Sequence, residues 1–422
     1  MLDINLVRSN PNLIKENLQK RFQETKIKIL NDLIKKDQEF LKLKKETESL
    51  RHKKNELSSL VNQLKKQKKP AAKEIKEAKQ LPKKIEALES RQVKVRENID
   101  ESLTQLPNIL HEIVPIGKNA QDNKEIKRWG KIPKFNFELS NHAELIESLG
   151  YADFETGRKT SGAGFNYLLN KVARLDDALQ RYGIDFAIEN GFSLVIPPIM
   201  LNKEAMGSAI NFEDFKDVVY KIDKEDLYLI GSAEHSLVAF FKNKTLNKKD
   251  LPIKLCALTP CFRREIGGHG VDMKGLFRMH QFNKVEQFSV TSAEDSYEML
   301  EKMQKISEKF FESLEIPYRV IEICSGDLGN KLAKQYDIEA WFPRQNTYRE
   351  VTSAGNATDY QARKINVKYY ENSEKKIPHM VNNTMVATSR AMVAILENYQ
   401  QKDGSITVPK VLRKYLDFKE IK

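Results

Sequence analysis

The segment TPCFRREIGGHGVDMKGLFRMHQFNKVEQF (residues 259–288) carries side chains that are suited to binding a nucleotide. Arg263 and Glu265 lie two residues apart in an apolar run. After a glycine-rich stretch, Arg278, Phe282 and Glu286 follow at intervals of four residues. Because side chains alternate between the two faces of a strand, these even spacings predict that each set lies on one face.

This predicted face is chemically unusual, because unpaired charges are costly to bury in an apolar core. Arginine binds phosphate with two donors, an aromatic ring stacks on a base, and a carboxylate accepts a hydrogen bond from an exocyclic amine. We therefore predict a nucleotide site on two strands. The alternative is a ladder of solvated ion pairs on an exposed sheet.

The elements that would position this site alternate irregularly along the chain. After Phe135, β-rich runs such as FSLVIPP, LCALTPCF and YRVIEIC mix with helical stretches at 166–190, 293–314 and 385–400. Strands that do not alternate regularly with helices are typical of α+β proteins with an antiparallel sheet flanked by helices. We find no run of about 20 apolar residues that would predict a membrane span.

Residues 30–104 predict a hairpin of two long helices. Apolar residues recur there at spacings of three and four, which is typical of an antiparallel coiled coil. Pro70 separates the two runs, and Pro82 should kink the second helix. With a rise of about 1.5 Å per residue, each helix would extend roughly 50 Å, so that the hairpin would form an arm.

The positive charge of the chain is concentrated in this arm. Residues 21–100 contain 23 lysines and arginines against 13 acidic residues, and so hold ten of the twelve net positive charges. The sequence KKQKKPAAK (65–73) makes the predicted tip strongly cationic. Such a field favours a polyanion such as nucleic acid. Charge alone fits a soluble basic helix equally well, and heptads alone fit a dimerisation element.

Several motifs resemble those of one family, the seryl form of the class II aminoacyl-tRNA synthetases. Residues 259–288 resemble motif 2 of this class, and GFSLVIPP (191–198) resembles motif 1. VNNTMVATSRAMVAILENYQ (381–400) resembles motif 3 in a form close to archaeal members. LYLIGSAEH and IEAWFPRQNTYREVTSAGNATDYQARK are similar to the serine-contacting loop and the acidic strand of the family. The likeness covers almost the whole chain.

The resemblance implies an enzyme that activates L-serine with ATP to seryl-adenylate and pyrophosphate, and then transfers serine to the 3′ end of tRNA(Ser). By position, the implied ATP-binding residues are Arg263, Arg264, Glu265, Arg278, Phe282, Glu350, Val351, Thr352, Ser353 and Arg390. The implied serine-binding residues are Ser232, Ala233, Glu234, Arg263, Glu286, Asn382 and Thr384. Arg263 and Arg390 would be catalytic by neutralising phosphate charge, and Glu350 and Ser353 would bind the Mg²⁺ of ATP.

The resemblance also implies partners and a domain organisation. The partners are tRNA(Ser), also tRNA(Sec) where it exists, and a second copy that forms a homodimer through motif 1. The predicted domains are an N-terminal tRNA-binding domain (1–106) with the arm, a linker (107–134) and a class II catalytic domain (135–422). Two alternatives stay open: a synthetase-like RNA-binding or regulatory paralogue, and a ligase that activates serine for a carrier protein.

The cysteines and the N-terminus bear on the cellular compartment. The three cysteines cannot all pair and lie in no Cys/His cluster, which predicts a reducing compartment and no zinc site. The first residues lack the pattern of a signal or transit peptide. We therefore expect a cytoplasmic protein.

Overall fold

The computed structural model describes residues 1–212, 217–265 and 275–422. The chain divides into two compact units, Met1–Pro107 and Asn108–Lys422. Across these described ranges, none of the helices has both the length and the apolar character that crossing a bilayer requires.

The first unit is helical. Its helices are α1 (Ile4–Ser9), α2 (Pro11–Lys20), α3 (Ile27–Lys66) and α4 (Ala72–Gln105). Helices α3 and α4 pack along a seam of buried residues that includes Leu33, Leu43, Val95 and Ile99. Exposed ion pairs such as Arg51–Glu89, at 2.7 Å, cross from one helix to the other. The predicted helical hairpin is confirmed.

A polar contact interrupts the apolar seam of the arm. Thr47 is only 3% exposed, and its hydroxyl donates to Leu43 O at 2.9 Å and accepts a hydrogen bond from Gln92 Nε2. The same Gln92 nitrogen also donates to Leu43 O at 3.2 Å. Since a polar group left unpaired in such a seam is costly, this contact favours one alignment of the two helices. Helix α4 continues through Pro82 without a break.

The second unit combines helices with a large sheet. Its helices are α5 (His142–Ser148), α6 (Phe154–Ser161), α7 (Asn170–Glu189), α8 (Lys203–Ala209), α9 (Ala233–Phe240), α10 (Ser296–Ser313), α11 (Tyr360–Lys364) and α12 (Thr388–Asn398). Its longer strands are β1 (Lys124–Trp129), β8 (Ile253–Phe262), β9 (Gln281–Thr291), β10 (Tyr318–Glu322), β11 (Lys334–Phe342), β12 (Thr347–Asn356), β13 (Lys368–Glu371) and β15 (His379–Ala387). Its short strands are β2 (Ala152–Asp153), β3 (Tyr167–Leu168), β4 (Ser193–Leu194), β5 (Met200–Leu201), β6 (Tyr228–Leu229), β7 (Thr245–Asn247), β14 (Glu374–Lys376), β16 (Ile406–Thr407) and β17 (Glu420–Ile421).

The largest sheet in the described ranges has eight strands in the order β1–β10–β11–β12–β15–β9–β8–β4. Neighbouring strands are antiparallel, except that β4 at the edge runs parallel to β8. Helices α7, α10 and α12 contact β9, β12 and β15 and share an apolar core with residues such as Val285 and Val351. The predicted α+β class with an antiparallel sheet is confirmed.

Candidate active site

The two strands of the 259–288 segment pair with each other. Each strand is shorter than the prediction from even residue spacing required. Strands β8 and β9 are antiparallel, with Cys261 opposite Phe282. Strand β8 ends at Phe262, and Glu265 has a φ of 43°, outside the extended region. Arg263 and Glu265 thus lie beyond the end of the strand, and the prediction that strand alternation places both on one face is wrong. Glu265 instead makes an ion pair with Arg278 at 3.7 Å.

Arg263 is held in place by three contacts. Its backbone N–H donates to His280 O at 2.9 Å, which extends the β8–β9 ladder by one residue. Its Nε donates to Gly231 O at 3.1 Å. Its guanidinium lies 5.5 Å from the ring centroid of Phe282, in a cation–π contact. The remaining guanidinium nitrogens can reach a phosphate while the ring offers a face to a base. Arg264, next along the chain, is exposed.

One face of β9 carries the polar side chains of the site. This face carries Phe282, Lys284 and Glu286, which are every second residue of the strand. The side chain of Val285, between Lys284 and Glu286, lies in the core with the helices. Lys284 and Glu286 are buried and form an ion pair at 2.6 Å. Two acid–base partners that satisfy each other in this way can be buried where a single charge could not.

The neighbouring strand β15 completes this polar pocket. Thr384 lies directly opposite Glu286, and its hydroxyl accepts from Lys284 Nζ at 3.4 Å. Asn382 Nδ2 donates to Glu286 Oε1 at 3.4 Å. Three of the predicted serine-binding residues, Glu286, Asn382 and Thr384, are thus brought together by the pairing of β9 with β15.

Three more of the predicted serine-binding residues lie at the start of α9, and the fourth, Arg263, follows β8. Ser232 is the N-cap, and its Oγ accepts from the Glu234 N–H at 3.2 Å, while Ala233 is fully buried. Glu234 is 5% exposed, and its Oε1 accepts from Gln361 Nε2 at 2.8 Å and from Lys331 Nζ.

These contacts determine the charge states at the start of α9. Burial acts to raise the pKa of Glu234, but the nearby Lys331 charge and its hydrogen bond outweigh it and lower that pKa to about 2. Burial lowers the pKa of the adjacent His235 to about 3, so this imidazole is neutral at physiological pH. Glu234 is therefore an ionised carboxylate that is suited to bind a cation.

A β-bulge on β12 positions the predicted metal ligands. The β11–β12 register shifts between Ile338 and Glu339, so that Ser353 lies opposite Asp337 while Glu350 lies opposite Glu339. Glu350 and Ser353, three residues apart, therefore share one face although regular alternation would separate them. Val351, in the bulge, lies in the apolar core, and Thr352 is buried, so a nucleotide could meet Val351 only through its backbone.

The face that carries Glu350 and Ser353 also carries a carboxylate, Asp337, that the sequence did not indicate. Ser353 Oγ accepts from Gln335 Nε2 at 3.0 Å, and Asp337 accepts from the same nitrogen at 2.9 Å. Burial and the neighbouring Glu350 charge raise the pKa of Asp337 to about 8. Carboxylate and hydroxyl oxygens are the ligands that Mg²⁺ prefers, and a divalent cation would relieve this repulsion. These residues fit a magnesium ion.

Arg390 joins the motif 3 helix to this acidic face. Its guanidinium forms an ion pair with Glu350 at 3.0 Å and also donates to Glu350 O at 3.1 Å. It also lies 5.1 Å from the ring centroid of Phe277. Arg349 lies 4.5 Å from the same ring, so two arginines flank Phe277, the residue before Arg278. The structure therefore brings Arg390 and Glu350 together, while their roles toward phosphate and metal stay predictions.

Besides Asp337, three more polar side chains near the predicted residues were not assigned a role from the sequence: Lys284, Lys331 and Gln361. Lys284 could have been found, because it lies between Phe282 and Glu286 with the spacing of the same strand face. Lys331 and Gln361 meet Glu234 only through the fold, since they are 97 and 127 residues away along the chain. The glycine-rich loop of motif 2, with its expected contacts to the tRNA acceptor end, lies at 266–274, outside the described residues.

Comparisons with known proteins agree with the motifs. The family model of the class II tRNA synthetase core domain (G, H, P, S and T) matches residues 218–399, and that of the seryl-tRNA synthetase N-terminal domain matches residues 1–110. The serine–tRNA ligase of Methanospirillum hungatei is 46% identical over 423 residues, which cover 100% of both chains.

Two solved structures are similar over the full length. The crystal structure of seryl-tRNA synthetase from Pyrococcus horikoshii complexed with ATP has a TM-score of 0.95 and 43% identity, covering 100% of this chain and 99% of that one. The cytoplasmic serine–tRNA ligase from Naegleria fowleri in complex with AMP has a TM-score of 0.89 and 33% identity, with the same coverage. The resemblance predicted from the motifs is confirmed, and the chain belongs to the serine–tRNA ligases, a family built on the class II aminoacyl-tRNA synthetase core.

Proposed function

We propose that this chain joins serine to tRNA(Ser) in two steps, with ATP as the energy source. The observation that carries the proposal is the arrangement on β9. Phe282, beside the Arg263 guanidinium, and the Glu286 pocket share one face of the same strand, so that a nucleotide site adjoins a small polar pocket. An enzyme that forms an aminoacyl-adenylate needs these two sites side by side.

In the first step, the serine carboxylate attacks the α-phosphorus of ATP and pyrophosphate leaves. No protein nucleophile is required, because positioning and charge neutralisation supply the catalysis. We assign the α-phosphate to Arg263, the adenine ring to Phe282 and the amine of adenine to Glu265. Arg278 and Arg390 would neutralise the leaving phosphates. The Arg264 side chain and the backbone of Val351 and Thr352 would line the nucleotide.

The Mg²⁺ that accompanies ATP would be bound by Glu350 and Ser353, with Asp337 as a neighbouring carboxylate. The metal supplies additional charge neutralisation at the phosphates. The role of the protein residues is to hold these oxygens on one face of β12, which the bulge at Val351 achieves. Arg390, paired with Glu350, is positioned to exchange that partner for a phosphate oxygen.

Selection of serine would rest on the polar pocket. Glu234 would bind the ammonium group, while Glu286, Asn382, Thr384 and Ser232 would surround the hydroxyl. An alanine side chain would leave these buried polar groups unpaired, and that loss is the basis for rejecting it.

In the second step, a terminal ribose hydroxyl of the tRNA attacks the carbonyl carbon of seryl-adenylate. The bond between this carbon and the phosphate oxygen breaks, and AMP leaves with that oxygen. We propose that the arm, residues 30–104, binds tRNA(Ser), and tRNA(Sec) where it exists, through backbone phosphates and shape. The exposed lysines at its tip support this role. A ligase that supplies the ribosome is expected in the cytoplasm.

A homodimer formed through motif 1 belongs to the same proposal. Residues 191–198 include the edge strand β4, and this segment exposes Leu194 and Ile196, the latter at 89%. Ile188 and Met200 nearby are also exposed. A group of exposed large apolar residues at a sheet edge is typical of a protein–protein contact.

Serine-dependent exchange of labelled pyrophosphate into ATP, run beside threonine, alanine and glycine, tests the first step. Serylation of tRNA(Ser) tests the second. Exchange without transfer to tRNA would favour the carrier-protein ligase. A folded chain that binds tRNA but lacks exchange would favour the regulatory paralogue and overturn the proposal.

A further inference from the structure

The residue that carries this inference is Lys331, which precedes β11. Its Nζ donates to Glu234 Oε1, the carboxylate to which the proposed function assigns the ammonium group of serine. Glu234 is almost fully buried, and the Lys331 side chain is 28% exposed. One partner of this ion pair is therefore fixed in the interior, while the other reaches it from the solvent side on a flexible stem.

The backbone that carries Lys331 is itself fixed. Asn108 Nδ2 donates to Lys331 O at 3.0 Å and to Ala357 O at 2.8 Å, and the Asn108 N–H donates to Asn330 O at 2.7 Å. The main chain at Lys331 is thus tied to the turn that follows β12. The side chain can leave Glu234 without any movement of this backbone.

Lys331 and the ammonium group of serine have the same chemistry at Glu234. Each is a primary ammonium with three donors, and each would neutralise the same buried carboxylate. Glu234 cannot remain ionised in the interior without a cation, because an unpaired buried charge is strongly destabilising. Two ammonium groups on one carboxylate would repel each other.

We propose that Lys331 is an internal substitute for the substrate ammonium: it neutralises Glu234 in the free enzyme and withdraws toward solvent when serine binds. This inference rests on the proposed function of Glu234. Lys331 therefore lowers the discrimination between serine and a ligand without an ammonium group, because serine must displace a cation that such a ligand would leave in place.

Thermodynamic linkage predicts the direction in which Lys331 changes the affinity for serine. The Lys331–Glu234 pair stabilises the free enzyme and is lost in the serine complex, so it weakens serine binding by the free energy of that pair. Lys331→Met should therefore lower the KM for serine by about threefold to tenfold, the size expected of a charged hydrogen bond competing with bound substrate. Lys331→Arg, the matched control, keeps a cation at Glu234 and should not lower the KM.

Glycerate, which has a hydroxyl in place of the amino group of serine, separates this effect from a general loss of binding. In the wild-type enzyme it can bind while Lys331 still pairs with Glu234. In Lys331→Met the pair is absent from both the free and the glycerate-bound enzyme, so the inhibition constant of glycerate should stay within about twofold of the wild-type value. A merely structural role of Lys331 would weaken both ligands together.

The decisive quantity is the ratio of the glycerate inhibition constant to the serine KM, measured by pyrophosphate exchange on the full chain. A wider ratio in Lys331→Met, with Lys331→Arg near wild type, supports the inference. A raised serine KM or an unchanged ratio overturns it and leaves the proposed function intact. If the wild-type enzyme shows no serine-dependent exchange, the proposed function fails and the inference fails with it.

Discussion

Arg263 is organised before any ligand binds. Its backbone continues the β8–β9 ladder, its Nε is bound to Gly231 O at 3.1 Å, and its guanidinium lies beside Phe282. A cation that is already oriented costs little further reorganisation when negative charge develops on a phosphate. This single side chain therefore links the adenine platform to the site of attack.

Arg263→Ala should lower the kcat/KM for serine-dependent pyrophosphate exchange by at least about 100-fold, because it removes a charge from the transition state. Steady-state exchange kinetics at saturating Mg²⁺ would measure this loss. Arg181→Ala is the matched control, since Arg181 on α7 is exposed and pairs only locally, with Asp177 at 3.1 Å. An Arg263→Ala enzyme with nearly normal exchange would remove Arg263 from the catalytic residues.

Lys284 bears on stability as well as on the pocket. Lys284→Met would leave Glu286 buried without its 2.6 Å partner and should destabilise the protein by about 3–5 kcal/mol. Chemical unfolding followed by fluorescence would measure the change. In the double variant with Glu286→Gln, part of the loss should return, because the unpaired charge is gone. Equal stability of Lys284→Met and the wild type would contradict the role of the ion pair.

The sequence was better at predicting which residues belong to the site than at predicting which side chains contact one another. Phe282 and Glu286 share a face of β9 because that strand is regular over both positions. Glu265 and Arg278 lie beyond the strand ends, where alternation no longer applies, and they pair with each other. Contacts such as Lys331–Glu234 depend on tertiary packing, which spacing along the chain does not encode.

At the scale of elements, periodicity was sufficient to predict the helical hairpin, and the irregular order of strands and helices was sufficient to predict the antiparallel sheet. Spacings of three and four identify α3 and α4 because the seam lies on one stripe of each helix. The bulge at Val351 could not be predicted in this way. It adds one residue to a run that otherwise appears regular, and it alone places Glu350 on the face of Ser353.

The tip of the arm offers a test of the tRNA-binding proposal. Changing the exposed residues Lys65, Lys66, Lys68 and Lys69 to Gln should lower the kcat/KM for tRNA serylation by about tenfold or more, and should reduce its dependence on salt, because phosphate contacts are lost. Pyrophosphate exchange should not change. Parallel assays of the two activities over a range of KCl concentrations would check both expectations.

A matched control changes four exposed lysines of the second unit, Lys203, Lys249, Lys402 and Lys410, to Gln. This variant has the same net charge as the tip variant. If both variants lost serylation equally, net charge and not the tip would explain the effect. Loss of exchange in the tip variant would contradict the separation of the two activities.

At the scale of the whole molecule, the proposed homodimer assigns its contact to the exposed apolar residues around β4. Ile196→Glu should convert the proposed homodimer to a monomer, because a charge at the centre of an apolar contact is desolvated without a partner. Light scattering after size-exclusion chromatography would give the mass. Ile126→Glu, on the opposite edge strand β1, is the control and should keep the wild-type mass. A wild-type chain with the mass of one copy would contradict the dimer.

The Thr47–Gln92 contact has a consequence for the length of the arm. A slide of α3 against α4 by one heptad would separate these two side chains and remove both partners of the Gln92 amide nitrogen, Thr47 Oγ1 and Leu43 O. The distance from the base of the hairpin to the lysine-rich turn is thereby held constant. In the proposed tRNA complex, a hairpin of constant length would select an RNA by its span and not by its nucleotide sequence.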